Sequence, residues 1–269
     1  MPDFLSIGVP AYNEEESISR MLESVLKSTL WKETPVGMKE VIVCCNGCTD
    51  STPNIVRKIM REHEEGEVKL LLTAKGKPKA WKEIVKRSDK RAGVIYFADA
   101  DDILQRNALE RLKGAFTQNE FDIVAARPSP ISSKGKTPTK LIVAYHNRAL
   151  RPDSWAAGVS GALYGVSRRF AETVDMPDNI IADDAFLQFS AKKVGYVKEA
   201  KVFFFQPRTI KGVLQQKARW TAGRMQLEKL GLIPQRRGKR KSFLQRLHSL
   251  KKYAISEKIG GALSYALKP

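Results

Sequence analysis

Short apolar segments alternate with amphipathic segments through roughly the first hundred residues of the chain. Four segments rich in apolar, β-branched and aromatic residues lie at 4–9, 40–45, 68–72 and 94–98. Such runs are typical of strands buried on both faces of a parallel sheet. Between them, apolar residues recur every three or four positions, as on one face of a helix, at about 14–30, up to about Met60, and around Trp81. This alternation predicts a parallel α/β sheet with right-handed crossovers.

The pattern beyond residue 102 is less regular. The predicted elements are a helix at 105–118, a strand at 121–126, a helix at 143–150, a small glycine-rich segment at 155–166, a helix at 180–194, one or two strands at 196–205 and a long helix beginning at Pro207. Prolines among serines and lysines at 128–139 predict a mobile surface loop between the two halves of the chain.

Three carboxylates follow the fourth predicted strand at once, at Asp99, Asp101 and Asp102. Ligands of open α/β sheets bind just beyond the carboxyl ends of the strands. Acids crowded there repel one another unless a cation lies among them. The residues favour a divalent metal site that also holds a phosphorylated ligand. The alternative is a solvated turn, or a helix cap formed by Asp101 or Asp102.

Basic residues outnumber acidic ones by 47 to 29, which gives a formal charge of +18 and a pI near 9.8. Such a charge favours polyanionic partners, namely nucleic acid, anionic lipid head groups or phosphorylated substrates. Half of it lies in the last 39 residues, where ten basic residues face Glu257 alone. A non-catalytic nucleic-acid-binding protein would explain the charge but leaves the acidic strand end unexplained.

The basic tail at 231–269 also has an amphipathic pattern, with its apolar positions on one helical face at Phe243, Leu244, Leu247, Leu250 and Ala254. A basic amphipathic helix is typical of a membrane-surface anchor. The alternative is a helix that packs on the catalytic domain and leaves its basic face in solvent.

Cys44, Cys45 and Cys48 are the only cysteines in the sequence. Because they are clustered, they cannot form a distributed disulfide framework, and a reducing interior suits them. The first ten residues show no pattern of a signal peptide, and the apolar runs are too short to span a bilayer. These features predict a cytoplasmic protein.

The motifs and their order closely resemble the inverting glycosyltransferases of family 2, which have the GT-A fold, over the region from Phe4 to about Arg224. Three loops resemble the family's nucleotide-binding segments. The resemblance assigns donor binding there to Pro10, Tyr12, Asn13, Glu14, Asn46, Asp50 and Lys77. Asp50 would face the base, while Asn46 and Cys48 depart from the commonest family pattern and leave the base contacts open.

The later motifs assign the remaining site residues. Asp99-Ala100-Asp101 resembles the DxD motif, so Asp99 and Ala100 would contact the nucleotide and Asp101 would hold Mg²⁺ or Mn²⁺. Asp183-Asp184 resembles the acidic pair whose second member is the catalytic base. Gln216, Arg219 and Trp220 match the QxxRW motif and are assigned to donor binding. Acceptor binding is assigned to Trp155, Gly161 and Asp183.

By this resemblance, residues 1–230 form a GT-A domain with a nucleotide-binding half at 1–102 and an acceptor-binding half at 103–230, and residues 231–269 form a basic helical tail. The implied activity is metal-dependent transfer of a sugar from a nucleotide diphospho-sugar, UDP-linked in most similar proteins, to an acceptor hydroxyl. The expected acceptor is a lipid, a lipid-linked sugar or a polysaccharide at the inner face of a membrane, and no nucleic-acid partner is expected. Nucleotidyl transfer on a similar fold is the alternative chemistry.

Overall fold

The computed structural model of the chain describes residues 4–131, 158–205, 207 and 210–234, apart from the side chains of Ile210 and Val213. The strands are β1 Leu5–Ala11, β2 Lys39–Asn46, β3 Val68–Thr73, β4 Val94–Ala98, β5 Ile103–Leu104, β6 Ile123–Ile131, β7 Leu163–Ser167 and β8 Val194–Phe205. The helices are α1 Ile18–Leu26, α2 Thr29–Glu33, α3 Thr52–Arg61, α4 Lys77–Arg87, α5 Ala108–Gln118, α6 Arg168–Thr173, α7 Asp183–Ser190 and α8 Ile210–Lys229.

These strands form one sheet in the order β3-β2-β1-β4-β7-β6-β8-β5. The first four strands in this order are parallel to one another, and Ile7 lies between Val41 of β2 and Tyr96 of β4. β7 runs antiparallel between β4 and β6, and β8 is parallel to β6. The sheet is therefore mixed but mostly parallel, with helices against it, which confirms the predicted GT-A type of α/β fold.

The core occupies both faces of the sheet because neighbouring residues of a strand point to opposite sides. Ile7, Val41 and Val43 pack in one cluster with the buried faces of α1 and α5. Ile42 and Cys44 pack in the other cluster with α4, whose Trp81 stacks on Phe97 at 5.4 Å between ring centroids. Phe97 in turn stacks on Tyr164 of β7 at 5.5 Å. These rings pack together where the carboxyl end of β4 lies beside the amino end of β7.

The helix predicted at 14–30 is wrong in its bounds. The chain forms a turn up to Ser17, and α1 and α2 then follow as separate helices. Asn13 has a left-handed φ of 55°, which is incompatible with a helix at that point. The Ser28 side chain accepts a hydrogen bond from the Trp31 amide and so starts a second helix.

The surface loop predicted at 128–139 is wrong for its first residues, because Pro128 and Pro130 belong to β6 and pair with Val202 and Phe204 of β8. Proline fits there because, within residues 4–131 and the later described ranges, β7 pairs only with residues 123–125 of β6 and no other strand pairs with that edge beyond them. The strand β7, inside the glycine-rich segment, was not predicted. Gly165 of β7 lets the ring of Phe116 lie close to the backbone, since a Cβ there would be 2.7 Å from it.

Two further bounds differ from the sequence prediction. The helix predicted at 180–194 begins at Asp183 and ends at Ser190, and the segment predicted as one or two strands is the single strand β8. A register shift opposite Ala126 and Arg127 lets β8 follow β6 along its whole length. The helix predicted at 143–150, Trp155 and residues 235–269 of the basic tail lie outside the described residues. Within the described ranges, no helix is both long and apolar enough to cross a bilayer.

Candidate active site

Asp99, Asp101 and Asp102 lie at the carboxyl end of β4, with one oxygen from each within 4.8 Å of the others. Burial, and then the charges of Asp99 and Asp101, raises the pKa of Asp102 to about 10. Burial also raises the pKa of Asp99 to about 6, although the Lys77 ammonium opposes this. Three crowded carboxylates of this kind are a donor set that suits a hard divalent cation such as Mg²⁺ or Mn²⁺.

Lys77, the first residue of α4, joins this cluster to α7. Its ammonium nitrogen lies 2.7 Å from Asp99 Oδ1 and 3.3 Å from Asp183 Oδ2. Burial alone would lower the pKa of Lys77, but the charges of Asp183 and Asp99 outweigh it and hold the pKa well above its usual range. Lys77 is therefore a fixed cation that connects the first half of the sheet to the second.

Asp184 is held in one orientation by two backbone amides. The Ala185 N–H donates to Oδ1 at 2.8 Å, and the Gly161 N–H donates to Oδ2 at 3.1 Å. Burial and the charge of Asp183 raise the pKa of Asp184, while Lys77 and the two amides oppose them. A carboxylate that is both fixed and raised in pKa is suited to accept a proton near neutral pH.

Asp183 points at Lys77. The residue is buried, and among the described residues its Oδ2 has the Lys77 ion pair but no hydrogen bond of good geometry. The carboxylate therefore balances the lysine charge at the base of the site.

Gly161 occupies the point where these groups meet. A Cβ on Gly161 would be 3.2 Å from Asp99 Oδ2, 3.2 Å from Lys77 Nζ and 3.7 Å from Asp184 Oδ2. A Cβ here would therefore press on Asp99 and Lys77 and would lie in ordinary van der Waals contact with Asp184. The sequence identified Gly161 only as part of a small-residue segment, and the structure shows what its missing side chain accommodates.

The loops that follow β1 and β2 are bound to each other. The Asn13 side chain accepts a hydrogen bond from the Thr49 amide at 2.8 Å, and Asp50 Oδ2 accepts one from the Glu15 amide at 3.1 Å. Asp50 Oδ1 also accepts from the Thr52 amide and hydroxyl. Both oxygens of Asp50 therefore have partners in the protein. A cavity of about 290 Å³ opens beside this loop, and Asp50, Cys48, Arg57 and Thr73 are among its lining residues.

Asn46 joins three strand ends. Its amide nitrogen donates to the Ala11 carbonyl at 2.7 Å, and its oxygen accepts from the Gly76 amide at 3.2 Å. The side chain is buried, and these contacts use one donor and one acceptor of the amide. Asn46 thus fixes the carboxyl ends of β1 and β2 and the loop after β3. A ligand could contact only the second N–H of this amide or the second lone pair of its oxygen.

The other predicted residues of the first half lie at the same edge. Tyr12 is exposed and accepts a hydrogen bond from Lys75 at 2.8 Å. Glu14 lies close enough to Asp101 and Asp99 for their charges to add to burial in raising its pKa. Pro10 is buried at the end of β1, and Ala100 is buried in the turn after β4. The sequence alone assigned no role to Lys75. It placed Asp102 in the acidic cluster, with a helix cap as the alternative, and the structure keeps Asp102 with Asp99 and Asp101.

The QxxRW residues lie on α8. Arg219 and Trp220 are exposed, and within the described ranges no ion pair joins Arg219 to an acid of the cluster. Gln216 has a buried side-chain oxygen that lacks a hydrogen-bond partner in the same part of the chain. Farther along α8, Gln226 bonds to the Asn179 carbonyl and the Ile181 amide, just before the Asp183-Asp184 pair.

Comparison with known proteins agrees with this geometry. The chain is 26% identical to a poly-beta-1,6-N-acetyl-D-glucosamine synthase of Staphylococcus epidermidis, over 81% of this chain and 54% of that protein. It is 36% identical to an Escherichia coli UDP-Glc:alpha-D-GlcNAc-diphosphoundecaprenol beta-1,3-glucosyltransferase, over 46% of each chain. The chain thus spans about half the length of these curated relatives.

A solved structure shares the fold. The mannosyltransferase of Pyrobaculum calidifontis in complex with GDP-Man and Mn²⁺ superposes with a TM-score of 0.65 at 17% identity, over 94% of this chain and 70% of that one. The family model for glycosyl transferase family 2 matches residues 6–175, which include the first three loops, the acidic cluster and Gly161. The chain belongs to glycosyl transferase family 2.

Proposed function

We propose that this chain transfers a sugar from a nucleotide diphospho-sugar, UDP-linked, to an acceptor hydroxyl with inversion at the anomeric carbon. The observation that carries the proposal is the meeting of two kinds of carboxylate at Gly161. Asp99 of the acidic cluster and the amide-held Asp184 both lie within 4 Å of where a Cβ on this glycine would be, and Lys77 pairs with Asp99 and with Asp183, the residue before Asp184.

The donor diphosphate binds at the carboxyl ends of β1–β4. Asp101, with Asp99 beside it, would hold Mg²⁺ or Mn²⁺, and the crowding of three carboxylates within 4.8 Å fits such an ion. Held there, the ion would supply positive charge to the diphosphate leaving group. Lys77 adds a positive charge next to Asp99. Tyr12 offers a flat ring to the nucleotide base. Asn13, Glu14 and Asn46 shape the loops around the nucleotide.

Asp184 is the general base. The acceptor oxygen attacks the anomeric carbon, the bond from that carbon to the diphosphate oxygen breaks with its electron pair, and the hydroxyl proton passes to Asp184. The two amides that hold Asp184 fix the direction of its free lone pairs before the acceptor arrives. A positioned base of this kind contributes about 10²–10⁴-fold to the rate.

The acceptor is a lipid-linked sugar or a polysaccharide. The names of the two curated relatives specify a diphosphoundecaprenol acceptor and a poly-N-acetylglucosamine product. The charge of +18 suits an acceptor that carries a diphosphate or lies at an anionic membrane. The tail at 231–269 assists as a basic amphipathic anchor at the inner face of the membrane, and Trp155, Asp183 and Gly161 contribute to the acceptor side.

A panel of nucleotide sugars tests the proposal. Thermal unfolding is measured with UDP- and GDP-sugars in the presence of Mn²⁺, and the donor that raises the midpoint most is then incubated with a polyprenyl-diphosphate-linked sugar. We expect release of the nucleoside diphosphate, a β-linked product from an α-linked donor, and loss of both on addition of EDTA. Release of sugar 1-phosphate instead of the nucleoside diphosphate would indicate nucleotidyl transfer, and full activity in EDTA would contradict the metal assignment.

A further inference from the structure

One side of α8 carries an exposed apolar stripe between lysines. Leu214 and Met225 are 61% and 53% exposed, and Ala218 between them is also exposed. The spacing of four and seven residues places the three side chains on one helical face. Lys211 and Lys229 lie along the same side, near the two ends of the helix. We call these five residues the outer face of α8.

The opposite side of α8 is packed on the domain. Gly223 lies so close to Ala182 that a Cβ on the glycine would be 2.8 Å from the alanine side chain, and Leu227 is buried. The Gln226 side chain bonds to the chain at Asn179 and Ile181. The helix is thus docked next to the segment that leads into Asp183 and Asp184, and its outer face points away from the core.

The charges of α8 are unbalanced. The helix has five basic residues and one acid, Glu228, which pairs with Arg224 at 2.8 Å. Within the described part of the chain, Lys211 and Lys229 have no ion-pair partner. Ile181, which is bonded to α8 through its backbone, adds a further exposed apolar side chain. An apolar stripe bordered by unpaired lysines is complementary to a surface that combines hydrocarbon with negative charge.

We propose that the outer face of α8 docks on the surface of an anionic phospholipid bilayer. Leu214 and Met225 enter the boundary between head groups and acyl chains, and Lys211 and Lys229 contact the phosphates. Because α8 is about 10 Å thick and its other side packs on Ala182, docking brings Ala182, two residues before Asp184, within roughly one helix diameter of the lipid surface. The value of this placement rests on the proposed lipid-linked acceptor, whereas the binding itself is independent of catalysis.

The stripe is narrow, so the binding is reversible and depends on both charge and apolar area. Each lysine near an anionic surface contributes about fivefold to the partition coefficient. Neutralising both lysines therefore weakens partition by roughly 25-fold. Replacing Leu214 and Met225 by serine removes most of the apolar area that enters the lipid, and we expect a loss of at least about tenfold.

Vesicle co-sedimentation of the full chain tests the proposal. The wild type, Leu214→Ser/Met225→Ser and Lys211→Gln/Lys229→Gln are compared on vesicles of phosphatidylcholine with and without phosphatidylglycerol. Val36→Ser is the matched apolar control, since Val36 is 65% exposed and lies far along the chain from α8. We expect preferential binding of the wild type to anionic vesicles, the stated losses in both double variants, and no change in the control.

Transfer to a short soluble acceptor is measured on the same samples. It should be equal in all four proteins, which separates failure of docking from failure of the proposed chemistry. If the outer-face variants bind anionic vesicles as well as the wild type, or if the wild type does not bind, the proposal is wrong. Sedimentation without lipid identifies the rival occupant: a dimer that Leu214→Ser/Met225→Ser dissociates would show that a second copy of the chain covers this face.

Discussion

The two halves of the sheet differ in the order and direction in which their strands pair. In the first half, β2 pairs in parallel with β1 and β3 with β2, each across one or two helices, and β4 then pairs in parallel with β1. In the second half, β7 lies antiparallel between β4 and β6, and β5 pairs with β8 across about a hundred residues. The first half repeats one parallel strand–helix unit, whereas the second half mixes strand directions, which makes its geometry less visible in the sequence.

The chemistry divides in the same way. The first half contributes the acidic cluster and the interlocked loops, which suit a nucleotide diphosphate. The second half contributes Asp184 and Gly161, which suit proton transfer. Lys77 and Gly161 are the points at which the halves touch. Substitutions on either side should therefore separate donor binding from turnover, and substitutions at the contact points should affect both.

Asp184→Asn should give the largest difference between the effect on turnover and the effect on donor binding. The amide keeps the size of the side chain but cannot accept the acceptor proton, so we expect kcat to fall by about 10²–10⁴-fold while the donor Kd stays within about twofold. Turnover assays and calorimetric titration of donor measure the two quantities. Asp178→Asn is the control, because Asp178 is an exposed acid of the same half that pairs with Lys82. Parallel loss of donor binding and turnover in Asp184→Asn would show that the residue belongs to the donor site.

Gly161→Ala should disturb both halves together. The new Cβ would lie 3.2 Å from Asp99 Oδ2 and from Lys77 Nζ, so the acids and the lysine must move by a few tenths of an ångström. We expect kcat to fall by about tenfold and donor affinity to fall severalfold, since sub-ångström misplacement of reacting groups is costly. Gly114→Ala in α5 is the matched control, because a Cβ there meets nothing within 4 Å. Unchanged kinetics in Gly161→Ala would mean that the contact seen here is not used in the reaction.

The difference between the halves also explains what the sequence could predict. The strand–helix repeat placed β1–β4 and brought Asp99 and Asp101 to the correct sheet edge, because local periodicity determines both. The antiparallel strand β7 was missed, since Gly165 interrupts the apolar run of the strand and the contacts of Tyr164 with Phe97 and of Gly165 with Phe116 come from distant parts of the chain. Pro128 and Pro130 predicted a loop because the sequence does not show which edge of a strand lacks a neighbour.

The site was predicted only as far as its residue types. Asp184 and Asp101 could be proposed from acidic pairs in a family pattern, but the amides that hold Asp184 and the bridge from Lys77 to Asp183 could not. Both depend on β7 and α7 lying against β4, which is a property of the assembled sheet. For Asp50, the residue type was not enough. The resemblance assigned it to the nucleotide base, but in the structure both of its oxygens accept hydrogen bonds from backbone amides of the protein.

The pH dependence of turnover tests the bridge between the halves. Asp184 must be deprotonated to act as a base, so activity falls as the pH drops through its pKa, which burial and Asp183 hold above the usual range. Lys77 opposes this rise. In Lys77→Met the pKa of Asp184 should therefore rise further, and the acid limb of kcat at saturating donor should move to higher pH. Lys82→Met, which removes an exposed lysine of α4, should leave the limb in place. If the acid limb does not move in Lys77→Met, Lys77 does not influence the pKa of the group that acts as the base.

Asp50→Ala has the smallest expected effect and tests what the loops after β1 and β2, which are hydrogen-bonded to each other, contribute to stability and donor binding. The substitution removes the acceptors for the amides of Glu15 and Thr52, so the free energy of unfolding should fall by about 1 kcal/mol. Donor affinity should change by no more than about threefold, because the Asn13–Thr49 contact still joins the two loops. Asp50→Asn keeps one acceptor oxygen and should lie between the two proteins in chemical denaturation. If donor affinity instead falls more than tenfold in Asp50→Ala with little loss of stability, the carboxylate contacts the base directly, through the cavity that it lines. Stability and affinity measured on the same variants thus decide whether Asp50 binds the donor or holds the loops that do.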